Sequence, residues 1–527
     1  MAPLYNMERK RHVPGLWIVC AFVLLAGHAS LFANHTVDDA YISARYAENW
    51  AGGHGLVFNP DERVEGFSNL LLVAVEALMI GLNIDPILSA KAFGLLASLS
   101  VIALLALLCR PVATPAGIMA GCIIFAASPA VALWSVAGLE GTLQAFWLLL
   151  WIGVLLRLSA AGSIGAARFL AWQTSRLWQW GVGLGVTLPV LLSALTRPEG
   201  VMFLAANVFI LASFPRTRRI AISAAIVSIA AYGSLLIWRH AYYGAWLPNT
   251  FAAKVVRGLS PGAPSGLHSG LVYLVTFLVR GGGAGVVALT LPAFIDRQSR
   301  KLAWMISIPI ALQLLFTLAV GGDWMIGHRF IVPVIPVMCL LAALGISQRG
   351  VWQRWNRQHR WPILQTVLVT AVLTLQFADA VQLNHDAKEY SEGVRRAHVQ
   401  LGLRLAHEAQ PGSSVAVIDA GAIPYFSKLR AVDMLGLTSR EVASSPDPSF
   451  AALVVLRSLP DYVVITNQAH HAGWDMNALA PLSVPERSLL ASPIFYQYYQ
   501  RVSDPFQYVF AYYELILMKR TSGLARQ

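Results

Sequence analysis

The chain has 527 residues, of which 56% are hydrophobic and 13% charged, with a mean hydropathy of +0.58. A soluble domain carries about 25% charged residues, so much of this chain does not face water. The formal charge of +12 lies in short clusters between apolar runs rather than in a basic stripe interleaved with aromatics, which argues against nucleic acid as a partner.

Apolar runs long enough to cross a bilayer, about 20 residues each, recur down to residue 381. They lie near 15–33, 91–109, 116–133, 138–157, 180–196, 200–213, 219–239, 270–291, 302–320, 330–347 and 361–381. Arg9, Lys10 and Arg11 precede the first run. Arg157, Arg168 and Arg176 form the next basic group, then Arg216, Arg218 and Arg219. Arg297, Arg300 and Lys301 follow, and Arg349, Arg354, Arg357 and Arg360 are the last. This is the positive-inside pattern. It places the N-terminus in the cytoplasm, segment 34–68 outside, and the tail from 382 to 527 outside. The assignment holds only if the short apolar segment 69–84 does not cross. That segment is therefore expected to be juxtamembrane or re-entrant, which is tolerated where protein or a wet cavity covers the backbone. The first run follows a basic start but lacks a small-x-small cleavage site, so it reads as an uncleaved helix. Cys20, Cys109, Cys122 and Cys339 fall in or at the edge of apolar runs, and none supplies a disulfide framework for the tail.

The tail changes character. SVAVID (414–419), DYVVIT (461–466) and FAYYELILM (510–518) read as strands, and 388–409 reads as a helix, with Gly, Pro and Ser turns between. The fold class expected is mostly α: a polytopic transmembrane helix bundle, 1–381, with a C-terminal extracytoplasmic α/β domain, 382–527. VIDAGAIPYFS carries Gly421 but lacks the G-x-G-x-x-G of a dinucleotide site. Asp419 and Asp433 read as turn residues, with acceptor binding as the alternative. Tyr496, Tyr498, Tyr499, Phe506 and Tyr508 read as core.

The outside segment HTVDDAYISARYAENWAGGHGLVFNPDERVEGFSN concentrates charge beside a hydrophobic wall. Ionised carboxylates avoid hydrocarbon, so Asp38 and Asp39 face water, a cation or a polar substrate. If the stretch after them is helical, Asp38 is placed to cap it, and Tyr41 and Arg45 share a face at i, i+4. Other outside loops add Glu140, Arg197 with Glu199, and Trp246, Asn249 and Lys254, then Asp323, Trp324, His328 and Arg329. Singly, each aromatic reads as interfacial belt and each cation as a snorkelling helix end. Together they read as a face of acids, cations and aromatic platforms suited to a sugar and a phosphate. A carboxylate base, Asp38 or Asp39, would deprotonate an acceptor hydroxyl. Arg329, His328, Lys254 or Arg197 would meet a phosphate leaving group. Tyr41, Arg45, Glu140, Glu199, Trp246, Asn249, Asp323 and Trp324 would contact sugar or acceptor.

The motifs DDAYISARYAENWAGGHGLVFNP, VEGFSN, TRPEG, WLPNTFAAK, GGDWMIGHRF and VAVIDAGAIPYFS resemble the GT-C glycosyltransferases, in particular the arabinofuranosyltransferase B branch. The resemblance implies a GT-C fold with juxtamembrane helices in the first outside loop, and a bacterial inner-membrane location with a periplasmic tail. It also implies inverting transfer from a polyprenyl-phosphate donor, such as decaprenyl-phosphate arabinofuranose, to a glycan or glycoconjugate acceptor. The acid in the first outside loop is the base, which maps onto Asp38, with Asp39 second. Another polyprenyl-linked sugar such as mannose is the alternative donor. No HExxH, EF-hand or clustered Cys/His signature is present. Asp38, Asp39 and Glu140 are the set that could hold a divalent cation, and a basic pocket could replace it. A lipid-linked-solute transporter is the rival class, but it would show repeated halves and mid-membrane charges.

Overall fold

The computed structural model describes residues 15–161, 176–215, 217–253, 266–355, 361–468, 479–502, 508–510 and 513–521. Lys254, Phe506 and the basic residues Arg9, Lys10, Arg11, Arg168, Arg216, Arg357 and Arg360 lie outside the described residues. The chain forms two compact units, each built from three stretches. The first is Met1–Ala33, Ala90–Leu235 and Ala263–Asp386, and the second is Asn34–Ser89, Leu236–Gly262 and Ala387–Gln527. The sequence division at 381 placed the first outside loop with the membrane helices. Here the stretch Asn34–Ser89 shares a unit with the tail.

The first unit is a bundle of apolar helices. Six described helices are long and apolar enough to span, or seven if one bent pair counts as a single span. Expected spans at Gly15–Ser30, Pro115–Ala127, Gly200–Ser213 and Val332–Ile346 are shorter apolar helices. Two further differences have local causes. The run 116–133 breaks at Ser128, whose hydroxyl accepts the Val131 amide at the start of Pro129–Trp134. The run 270–291 is two helices, Gly266–Arg280 and Gly283–Ile295, bent by 84°. Gly281 and Gly282 fill the break, and Gly282 takes φ 71°, a left-handed conformation that glycine adopts without steric cost.

Helix Ile335–Ile346 is buried along its whole length. It admits its neighbours through small residues. A Cβ on Gly345 would lie 2.0 Å from the Leu289 carbonyl, and one on Gly117 would lie 2.5 Å from that of Ala343. Close backbone approach of this kind is how helices associate in lipid, where apolar burial gives no drive. Two fully buried indoles are satisfied: Trp151 donates to Asn207 at 2.9 Å and Trp352 to the Gly345 carbonyl at 2.9 Å.

One helical stretch runs from Trp361 to Glu408, 48 residues. At about 1.5 Å per residue it is more than twice the roughly 30 Å hydrocarbon thickness. Its apolar N-terminal half supplies the span. Its polar C-terminal half, which enters the second unit at Ala387, lies outside it. Within that half, Val394–Val399 is a π turn.

The second unit contains a six-stranded sheet of β1 (Ser414–Val417), β2 (Arg430–Asp433), β3 (Tyr462–Gln468), β4 (Tyr499–Arg501), β5 (Tyr508–Phe510) and β6 (Tyr513–Arg520). The order is β2-β1-β3-β6-β4, with β5 also on β6. β1 pairs parallel with β2 and β3, and β6 runs antiparallel to β3, β4 and β5. Alternate residues enter opposite cores. Val415, Val417, Val464 and Leu515 pack with Leu401 and Ile423 on one side. Ala416, Val463, Ile465 and Ile516 pack with Val455 and Phe495 on the other. Burial on both faces explains why these strands read as continuous apolar runs.

The first loop supplies two helices to this unit, Asp38–Ala51 and Leu70–Gly81. The second has 12 residues, about 18 Å at 1.5 Å per residue, which is short of the hydrocarbon thickness. A small core of Ile42, Tyr46, Phe58, Phe67, Val73 and Tyr243 joins them. Glu65 adds a buried bidentate pair with Arg239, at 2.6 and 3.1 Å.

Candidate functional site

Asp38 and Asp39 form the first turn of helix Asp38–Ala51. The carboxylate of Asp38 does not cap that helix: Val37 holds the N-cap position, without a side-chain bond. Asp38 instead receives the amides that open helix Ala422–Ser427. Its Oδ2 accepts from Gly421 N at 2.9 Å and its Oδ1 from Ala422 N at 2.8 Å. The first amides of a helix have no partner within it, so an anion there is favoured. The approach is tight. A Cβ on Gly421 would lie 2.3 Å from Asp38 Oδ2 and 2.1 Å from its carbonyl oxygen. The Asp38 amide donates to Tyr390 Oη at 3.3 Å.

The same turn carries Asp419. Its Oδ2 bonds His398 Nε2 at 2.9 Å and accepts from Tyr513 Oη at 3.0 Å. His398 is buried, while Asp38, Asp39 and Asp419 are half-buried. Burial pushes the Asp38 carboxyl up to about 6, against an opposing pull from His398, while Asp419 and Asp39 push it further. For His398, burial lowers the imidazole, but the hydrogen bond and charge of Asp419 and the charge of Asp38 outweigh it and leave the group raised. For Asp419, burial raises the carboxyl, but His398 and Tyr513 outweigh that and leave it lowered. The arrangement is a carboxylate poised to take a proton beside a histidine–carboxylate pair.

The remaining expected residues of this unit are placed as follows. Arg45 is buried and donates to the carbonyls of Phe58 (2.8 Å), Pro424 and Leu429 (2.7 Å) and to Asn59 Oδ1 (3.3 Å), stitching the first loop to the tail. Tyr41 packs at 5.3 Å on Tyr425 and on Phe426. Asn249 donates to the carbonyls of Gly436 (2.6 Å) and Leu437 (3.0 Å). Trp246 is exposed and stacks on His240 at 4.3 Å. Asp433 holds a turn, accepting from the amides of Leu435, Gly436 and Thr438.

The first unit gathers a second group. Arg197 pairs with Glu140 at 2.8 Å and Glu199 at 2.5 Å, and Arg329 pairs with Asp323 at 2.6 Å. Both guanidiniums lie over the Phe330 ring, at 5.2 and 5.3 Å from its centroid. Three carboxylates thus meet two guanidiniums, so a phosphate brought here meets cations that are already paired. His328 contacts the rings of Tyr273 and Phe277. Burial, with Arg280 adding, pushes its imidazole down to about 4, so it is neutral at pH 7. Trp324 is exposed. Among the described residues no group of three or more His, Cys, Asp or Glu that could hold a metal ion is found.

Sequence reasoning missed His398, Tyr390 and Tyr513 and treated Asp419 as a turn residue. The partners are brought together by folding across hundreds of residues, and no local motif marks them.

Comparison with known proteins agrees with this architecture. Two solved structures share this mostly helical fold. ArnT from Cupriavidus metallidurans, solved bound to undecaprenyl phosphate, superposes with TM-score 0.59 at 14% identity over 97% of this chain and 99% of that one. The oligosaccharyltransferase of Archaeoglobus fulgidus in its apo form gives 0.54 at 12%, over 85% and 69%. Residues 386–514 match a family described as a domain of unknown function (DUF8728). A terminal beta-(1->2)-arabinofuranosyltransferase of Corynebacterium glutamicum is 26% identical over 381 residues, 64% of this chain and 53% of that protein. The chain thus spans about half the length of the curated relative it matches.

Proposed function

We propose that this multi-pass membrane protein is an inverting glycosyltransferase. It would move a sugar, arabinofuranose by its resemblance to the corynebacterial relative, from a polyprenyl-phosphate donor to a glycan or glycoconjugate acceptor. The reaction would take place on the periplasmic side of a bacterial inner membrane. The observation that carries the reading is the Asp38 carboxylate, half-buried, fixed by two amides and raised to about 6. A general base works best with a pKa near the operating pH.

In the reaction, Asp38 takes the proton of the acceptor hydroxyl. The acceptor oxygen attacks the anomeric carbon from the face opposite the phosphate. The bond from that carbon to the phosphate oxygen breaks, and polyprenyl phosphate leaves with the electron pair. Asp39 is the second candidate for the base. Arg197, Arg329, His328 and Lys254 are proposed to hold the phosphate, His328 as a neutral hydrogen-bond donor. Because Arg329 already pairs with Asp323, binding would require it to turn from that carboxylate toward the phosphate. Tyr41, Trp246, Asn249, Trp324, Glu140 and Glu199 are proposed around sugar and acceptor. Arg45 contributes by holding the unit together.

The test uses purified protein in detergent with synthetic polyprenyl-phosphate arabinofuranose and a panel of glycan acceptors. Release of polyprenyl phosphate with acceptor extension, lost in Asp38→Asn, is the expected result. Transfer only from polyprenyl-phosphate mannose would keep the mechanism and change the sugar. Normal turnover by Asp38→Asn, with loss in Asp39→Asn, would move the base by one residue. No transfer from any donor by folded protein would refute the reading.

A further inference from the structure

The turn Asp419-Ala420-Gly421-Ala422 does two things at once. Its amides at Gly421 and Ala422 hold the carboxylate of Asp38. Its side chain at Asp419 holds His398 and Tyr513. A displacement of this turn therefore moves both groups together. The histidine reaches the turn from the π segment Val394–Val399. Such single-turn departures from α geometry often occur at functional sites, because they redirect a side chain. His398 is fixed from a second direction by rings: Phe510 at 5.3 Å and Tyr513 at 6.2 Å, both edge-on. Tyr390, which receives the Asp38 amide, packs on Phe510 as well, at 5.2 Å.

We propose that His398 and Asp419 form a positioning pair that keeps Asp38 in its ionised, proton-accepting form. The proposal rests on the transferase reading for its catalytic consequence, but the pairing itself does not depend on that reading. Burial alone pushes the Asp38 carboxyl toward its protonated form. The charge of His398 opposes the effect of burial on Asp38, and the hydrogen bond and charge of Asp419, with the charge of Asp38, favour the protonated imidazole. The groups that face Asp38 come from four elements: Asp39 on its own helix, Tyr390 and His398 on the long helix, Asp419 on the turn, and Tyr513 on β6. Among these, His398 is the group that favours the Asp38 anion by its charge, while Asp39 and Asp419 oppose it.

The test is the pH dependence of transfer in wild type and His398→Gln. Loss of the imidazolium should move the acid limb of kcat/KM to higher pH. One unit of displacement gives about a tenfold loss below the limb and near wild-type rates well above it. Asp419→Asn keeps the imidazole in place and serves if His398→Gln does not fold. It should shift the limb the same way by less, since the lost imidazolium acts on Asp38 more strongly than the lost Asp419 charge. An equal loss at every pH, or an unmoved limb, overturns the proposal. If no variant and no wild-type protein transfers sugar, the transferase reading fails and a second readout decides the pairing. The pH-dependent melting difference between wild type and Asp38→Asn should move to higher pH when both proteins also carry His398→Gln. An unmoved difference overturns the pairing.

Discussion

Replacing Gly421 by alanine isolates the contact on which the proposed site depends. The added methyl would lie 2.1 Å from the Asp38 carbonyl oxygen, 2.3 Å from Oδ2 and 2.5 Å from Cγ, well inside van der Waals contact. Either Asp38 or the turn must move. Two bonds are then at risk, at 2.9 and 2.8 Å, and hydrogen bonds to a charged group contribute about 1.5–3 kcal/mol each. Overpacking with partial relaxation costs about 1–3 kcal/mol, and loss of both bonds adds about 3–6 kcal/mol, an upper bound of about 9 kcal/mol. Transfer should fall more steeply than stability, because a misplacement of about 1 Å costs on the order of a hundredfold in rate. The control is Gly412→Ala. Gly412 has φ 83°, and a methyl added there would meet nothing within 4 Å, so it bears only the left-handed cost of about 1 kcal/mol. Melting in detergent and initial rates of polyprenyl-phosphate release measure both. A Gly421→Ala protein that melts and transfers like wild type would refute the account of the cradle.

Three further outcomes are expected. Glu65→Gln breaks a buried bidentate pair and strands the Arg239 charge, so it should destabilise by about 3–5 kcal/mol, read as a large drop in melting temperature. Asp323→Asn removes the carboxylate that competes for Arg329, so equilibrium binding should show a tighter polyprenyl-phosphate complex; weaker binding would sink the phosphate role of Arg329. The pH dependence of stability has a defined sign. Folded Asp38 titrates near 6 against an ordinary 3.8, so the folded state holds the extra proton between those values and stability falls as pH rises through that window. Asp38→Asn should remove that part of the melting curve, and a curve unchanged by the substitution would contradict the raised carboxyl.

What could be read from the sequence followed the range over which each signal acts. Apolar length located the apolar helices, of which six, or seven with the bent pair, are long enough to span among the described residues, and the strand runs at 414, 461 and 510 fell within two or three residues of β1, β3 and β6. Where a glycine triplet interrupted an apolar run, length alone read one span and the backbone made two. Asp38 stood out because charge beside a hydrocarbon wall is costly in any fold. Its amides at Gly421 and Ala422 could not be read, since nothing near either end of that contact names the other. For the same reason Arg45 looked like a ligand-binding residue: a buried guanidinium satisfied by distant carbonyls and one facing a sugar have the same sequence.

The contact between Asp38 and Gly421 spans 383 positions of sequence. At a synthesis rate of about 5–20 residues per second, roughly 20 to 80 s separate the appearance of the acid from that of the amides that fix it. Until then the Asp38 carboxylate lacks the two amides that fix it. On the transferase reading, the proposed base is held in place only after residue 422 has been made.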